Sequence, residues 1–69
     1  MIDLKETGLQ FRRLRLAAGL SQTEMGAAIG IKAAGYNHLE QGRSITLKNF
    51  ISLCEYHKVS PNTVLKWSN

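Results

Sequence analysis

A chain of 69 residues with 43% hydrophobic and 20% charged content reads as one small globular domain, residues 1–69, with a core over about 7–67. Its one cysteine, Cys54, excludes an internal disulfide framework and a multi-cysteine zinc site, and the apolar runs are too short to span a membrane. Nine Lys and Arg against five Asp and Glu leave a net charge of +4, which suits a polyanionic partner and equally suits plain solubility.

The first helix is expected from about Thr7 to Ala18, where Phe11, Leu14 and Ala18 fall at helical spacing and Arg12, Arg13 and Arg15 lie between them. Gly19 supplies a left-handed stop. The second helix has the clearest start. Ser21-Gln22-Thr23-Glu24 is a capping box, in which the Ser21 hydroxyl and the Glu24 carboxylate each satisfy a backbone amide of the other. Met25, Ala28 and Ile29 form its apolar face, and Gly30 ends it. The third helix runs from about Ala33 to Gln41, with Tyr36, Leu39 and Glu40 inward and Gly42 as its stop.

Thr46 can cap a fourth helix whose apolar stripe is Leu47, Phe50, Ile51 and Cys54, spaced i, i+3, i+4 and i+7. Ser60-Pro61 opens a short fifth helix, since proline at the first helical position forfeits no hydrogen bond. Val64 and Leu65 would pack inward. No stretch alternates with period two, so the fold class is all-α: a compact five-helix domain. The amino terminus lacks the basic-then-apolar form of a signal peptide, and a cytoplasmic location is expected.

The second and third helices are joined by a few residues around Gly30. Such a tight glycine turn sets two helices at a steep angle and is the sequence form of a DNA-reading helix-turn-helix, whose second helix enters the major groove. Gly26 falls where the two helices press together. A glycine inside a helix costs about 1 kcal/mol relative to alanine, and close packing is a reason to tolerate it.

The segment Gly19-Leu20-Ser21-Gln22-Thr23-Glu24-Met25-Gly26, then Ile29-Gly30-Ile31, then Tyr36-Asn37-His38-Leu39-Glu40-Gln41-Gly42, resembles the Cro and phage-repressor (XRE-like) type of helix-turn-helix. The likeness extends over roughly Gly8 to Lys66. It implies a lambda-repressor-like DNA-binding domain, with the helix-turn-helix at helices two and three, in a bacterial or phage-encoded regulator acting as a homodimer. It also implies roles by position. Gln22 would bond a DNA phosphate. Arg43, Ser44 and Lys48 would contact the backbone, or simply form a solvated basic surface. Arg15 and Glu40 would form an internal ion pair between helices one and three.

The base-reading positions implied are Lys32, Ala33, Ala34, Asn37 and His38. Alanine offers no hydrogen bond and can only touch a thymine methyl, so direct readout would rest on Asn37, His38 and Lys32. Asn can pair with adenine in two bonds, and His can donate to guanine. Tyr36 stands at a core position, with its hydroxyl expected at the surface. His57 is expected half-buried at a helix end and Cys54 an inert core thiol. Neither histidine has acidic or cysteine companions at ligand spacing, so no metal, cofactor or small-molecule ligand is expected. Trp67 follows the last helix, either as a subunit contact or as a packed chain end.

Two functions compete. The first is a sequence-specific regulator of double-stranded DNA, a Cro-like repressor on a palindromic operator. The second is a protein-interaction module on the same fold, antitoxin-like or an anti-repressor, suggested by the small apolar tip Ala33-Ala34-Gly35. An enzyme is disfavoured, because no acid–base pair, activated nucleophile, phosphate loop or metal set is present.

Overall fold

The computed structural model describes residues 1–67, which form α1 (Leu4–Ala17), α2 (Gln22–Ala28), α3 (Ala33–Glu40), α4 (Leu47–His57) and α5 (Pro61–Val64). Among the described residues the one extended pairing is an isolated antiparallel bridge between Ile2 and Trp67. None of these helices is long and apolar enough to cross a membrane.

Helix α1 begins three residues earlier than its apolar spacing predicts. The reason is Asp3, whose carboxylate accepts the Glu6 amide at 3.0 Å and caps the helix. Thr7, expected at the helix start, is instead fully buried within it. Its hydroxyl donates to the Asp3 carbonyl at 2.9 Å and accepts the Lys66 amide at 3.3 Å, while the Asp3 amide donates to the Lys66 carbonyl at 2.7 Å. One threonine therefore ties the segment after α5 to the start of α1.

Helix α2 carries both halves of its capping box: Glu24 N–H to Ser21 Oγ at 3.0 Å and Ser21 N–H to Glu24 Oε1 at 2.9 Å. Those bonds from Ser21 hold the Glu24 carboxyl below the usual range. Gly30 turns the chain at φ +80, and the Ile31 amide closes onto the Gly26 carbonyl at 2.8 Å. Ala18 and Ala28, expected inward, are exposed. Pro61 opens α5 as expected, but the Ser60 hydroxyl bonds the Thr63 hydroxyl at 3.2 Å rather than a helix amide.

The core joins Phe11, Met25, Tyr36, Leu39, Phe50, Leu53, Cys54 and Val64, with the Phe11 and Phe50 rings edge to face at 5.7 Å. Helix α4 is rotated relative to its predicted stripe. Leu47 is 75% exposed and Ile51 46%, while Leu53 is buried. Phe50 and Cys54 belong equally to the stripe 47-50-51-54 and to the stripe 50-53-54-57, and the helix buries the second.

His57 thus takes the last position of the buried stripe. Its Nε2 is buried without a hydrogen-bond partner, and burial lowers its pKa. A lowered folded pKa means that the unfolded chain takes up the proton first as pH falls. His57 therefore destabilises the fold progressively as pH drops through the ordinary histidine value toward the folded one. His57→Leu is expected to add about 1 kcal/mol at pH 7, by removing an unpaired buried polar atom, and to flatten the stability profile between pH 7 and 5. Urea unfolding at the two pH values checks this, and a destabilised variant contradicts it.

Candidate nucleic-acid interface

The site is assembled from the α2–α3 unit, the α3–α4 loop and the first turn of α4. Gly26 sets the distance between the parts of the unit. A Cβ on Gly26 would lie 2.8 Å from the Ile31 carbonyl oxygen, so its absence lets α2 press onto the turn just before α3. The close approach expected at Gly26 is present, against the turn backbone rather than against α3 itself.

Of the predicted base-reading positions, Lys32 is the N-cap of α3, Ala33 and Ala34 open the helix, and Asn37 and His38 follow one turn later. Lys32, Ala34 and His38 are exposed, while Ala33 and Asn37 are half-buried. Helical spacing places Ala33 and Ala34 on the same face as Asn37 and His38. Gly35 lies on the exposed tip, with nothing within 4 Å of where a Cβ would stand.

Arg43, Ser44 and Lys48 are all exposed on the segment that leaves α3. Arg43 Nη2 donates to Gln41 Oε1 at 2.9 Å, and Ser44 is held at φ 55, in the left-handed region. Asn49 N–H bonds the Thr46 hydroxyl at 3.1 Å, which caps α4 and fixes the turn that presents Lys48.

Beneath this surface Arg15 and Glu40 are paired. Arg15 Nε reaches Glu40 Oε2 at 2.7 Å and Nη2 reaches Oε1 at 3.2 Å, while Nη1 bonds the Leu20 carbonyl at 2.9 Å. The pair is buried and links α1 to the last residue of α3. Burial pushes the Glu40 carboxyl up, but the hydrogen bond from Arg15 and the neighbouring donors outweigh it and hold it below the usual range. The same bond raises the Arg15 guanidinium. Tyr36 is in the core as expected, but its hydroxyl is buried, without a hydrogen bond of good geometry. Burial, then the neighbouring Glu40, drives its pKa up. Cys54 is buried, and burial pushes its thiol up, which disfavours the reactive thiolate.

Gln22 is turned inward. Its Nε2 donates to Glu40 Oε1 and to Asn37 Oδ1, both at 3.1 Å. These side chains line a cleft of about 230 Å³ together with Arg12 and Lys5, which sequence reasoning did not place here. Nor did it find a second, apolar groove of about 280 Å³, lined by Ile2, Leu4, Ile45, Leu47, Phe50 and Leu65. The signal was a surplus of apolar residues: Leu47 beyond the stripe that α4 buries, and Ile2 and Leu4 ahead of the expected α1. Trp67 is 73% exposed and pairs with Ile2 at the edge of this groove.

The helix-turn-helix family model matches residues 11–64. Among solved structures the fold is similar to the restriction-modification controller protein C.AhdI from Aeromonas hydrophila, with a TM-score of 0.80 and 30% identity over 90% of this chain and 96% of that one. It is also similar to the clp gene regulator ClgR from C. glutamicum, with a TM-score of 0.75 and 25% identity over 90% of this chain and 83% of that one. No curated protein sequence matches the chain significantly.

Proposed function

From the premise that this chain belongs to the helix-turn-helix family of the Cro and phage-repressor type, and is a DNA-binding regulator, we propose that it is a Cro-like repressor that binds a palindromic operator as a homodimer. The observation that carries this reading is the exposed face of α3 beside a basic flank. An α-helix with its side chains is about 10–12 Å across, which fits the width of the major groove. In this reading Lys32, Ala33, Ala34, Asn37 and His38 face the bases. Arg43, Ser44 and Lys48 fasten the backbone on the side of the α3–α4 loop, whereas the amide hydrogens of Gln22 are held by Glu40 and Asn37, so Gln22 reaches a phosphate only by giving up those bonds.

One copy offers one reading helix and so covers one half-site. The second copy is assigned to the apolar groove. Ile2, Leu4 and Leu47 are exposed on this groove and Trp67 beside Ile2, which gives a second copy apolar side chains to cover. Joining two copies there is what a palindromic site requires, with half-sites about 10 base pairs, or 34 Å, apart. Repression suits such a dimer, since occupying two grooves at a promoter excludes other proteins without further contacts.

Footprinting combined with a salt titration tests the whole reading. Arg43 and Lys48 from two copies would neutralise about four phosphates, so log K against log salt should fall with a slope of about −3.6. A slope near half that value means a single copy binds, and the absence of a protected palindromic site overturns the reading.

A further inference from the structure

The cleft beside α3 carries an unbalanced charge. Lys5, Leu9 and Arg12 repeat at i, i+4 and i+7, so one face of α1 lines it, together with Gln22 of α2 and Asn37 and Glu40 of α3. The acid among these residues is Glu40, and both of its oxygens are engaged. Oε2 holds Arg15 Nε at 2.7 Å, and Oε1 holds Arg15 Nη2 at 3.2 Å and Gln22 Nε2 at 3.1 Å. Arg12 and Lys5 are exposed, and among the described residues neither side chain has an ion-pair partner.

The fold has no use for either cation. The helical neighbours of Arg12 at three and four residues are Gly8, Leu9, Arg15 and Leu16, none of them acidic. Lys5 stands in the first turn of α1, where the helix dipole disfavours a positive charge. Asn37 lines the same cleft and belongs to the face of α3 proposed to read bases, so the cleft opens at the edge of that face.

We propose that Arg12 and Lys5 clasp one DNA phosphate per copy on the α1 side of α3. This rests on the proposed reading of α3 as the groove-reading helix. Gln22, to which the family resemblance gives a phosphate, has its amide hydrogens held by Glu40 and Asn37. Helix α1 then supplies the contact that α2 does not. The guanidinium of Arg12 offers paired N–H donors that match two phosphate oxygens, and Lys5 adds a point charge. The buried Arg15–Glu40 pair ties α1 to α3 three residues from Arg12, so the clasp and the reading helix keep a fixed spacing.

The test is a salt titration on the site that the full chain selects from random duplex DNA, with wild-type protein and with Arg12→Gln/Lys5→Gln. Two copies should give a slope near −5.4, about −3.6 from the α3–α4 loop and about −1.8 from one added phosphate per copy. The double variant should return the slope to about −3.6 and weaken binding about 10-fold or more. Its selected motif should be unchanged, because phosphate contacts carry no base information. Ethylation interference should lose one phosphate per half-site. Arg13→Gln, the same charge change on an exposed residue outside the cleft, should leave slope and interference as they are. Urea unfolding of the double variant should match the wild type, since neither side chain has a partner to lose.

A double variant that keeps the wild-type slope and interference pattern makes the two cations a solvated surface. The proposal then fails while the DNA-reading role stands. An altered motif would assign them to bases, and equal losses with Arg13→Gln would reduce the effect to net charge; either overturns the proposal. If the double variant does not fold, Arg12→Gln alone decides by the same loss of one phosphate. A wild-type protein that selects no site would overturn the DNA-reading role itself, and the proposal with it.

Discussion

Arg15→Ala is expected to remove roughly 3–5 kcal/mol of stability, the usual effect of deleting one partner of a buried ion pair. A 69-residue domain has on the order of 3–10 kcal/mol in total, so this variant should be largely unfolded at modest temperature, with Tm lower by at least about 12 °C. The loss has three parts. Two guanidinium bonds to Glu40 disappear, the bond to the Leu20 carbonyl at the start of the helix-turn-helix disappears, and Glu40 stays buried with only neutral donors. Urea unfolding measures it, and a loss below about 1 kcal/mol would refute the assignment. Arg15→Met combined with Glu40→Leu should be milder than either Ala substitution alone, because most of the loss comes from stranding a charge.

The same pair predicts a pH dependence. Glu40 is held below the ordinary carboxylate range in the fold, so its contribution is complete above the unfolded value near 4.5 and is lost as pH falls through the lower folded value. His57 acts in the same direction at higher pH. The two groups should give a stability profile that declines in two stages on acidification. Removing His57 erases the upper stage and leaves the lower.

The elements that were legible in the sequence are those whose signals are local. Ser21 and Glu24 lie three residues apart, Gly30 sits in its own turn, and Pro61 marks its own helix start. The start of α1 is equally local, as Asp3 three residues before Glu6, but apolar spacing counted from Phe11 places the boundary later. The rotation of α4 is not legible, because Phe50 and Cys54 fit two stripes and only packing in the core, with Phe50 against Phe11, decides between them. The candidate site divides the same way. Positions on α3 follow from the helix period, whereas the partners of Gln22 lie 15 and 18 residues away, so its inward turn needs the fold. Gly8 is the plainest case: nothing nearby in the chain marks it, and its reason lies across the domain.

Gly8→Ala and Gly35→Ala are expected to act with opposite sign, although each replaces a glycine inside a helix. Helix propensity alone favours alanine by about 1 kcal/mol at either position. At Gly8 the added Cβ would stand against the Glu40 carbonyl oxygen and 2.8 Å from that of Leu39. These are backbone atoms at the end of α3 and cannot rotate aside, so α1 and α3 must separate. Overpacking of this kind costs about 1–3 kcal/mol or more, and separation also stretches the Arg15–Glu40 pair that joins the same two helices. A net loss of about 2 kcal/mol is expected in urea unfolding. At Gly35 no atom lies within reach, and the full propensity gain of up to about 1 kcal/mol should appear. The fold therefore has no use for a glycine at the exposed tip of α3. A surface that must lie close against base edges does, because each added methyl holds the helix away from the groove floor. Gly35→Ala should accordingly make the domain more stable and its DNA binding weaker. A variant that gains stability and keeps full affinity would place the tip of α3 away from the DNA, and would shift the reading of sequence onto Asn37 and His38 alone.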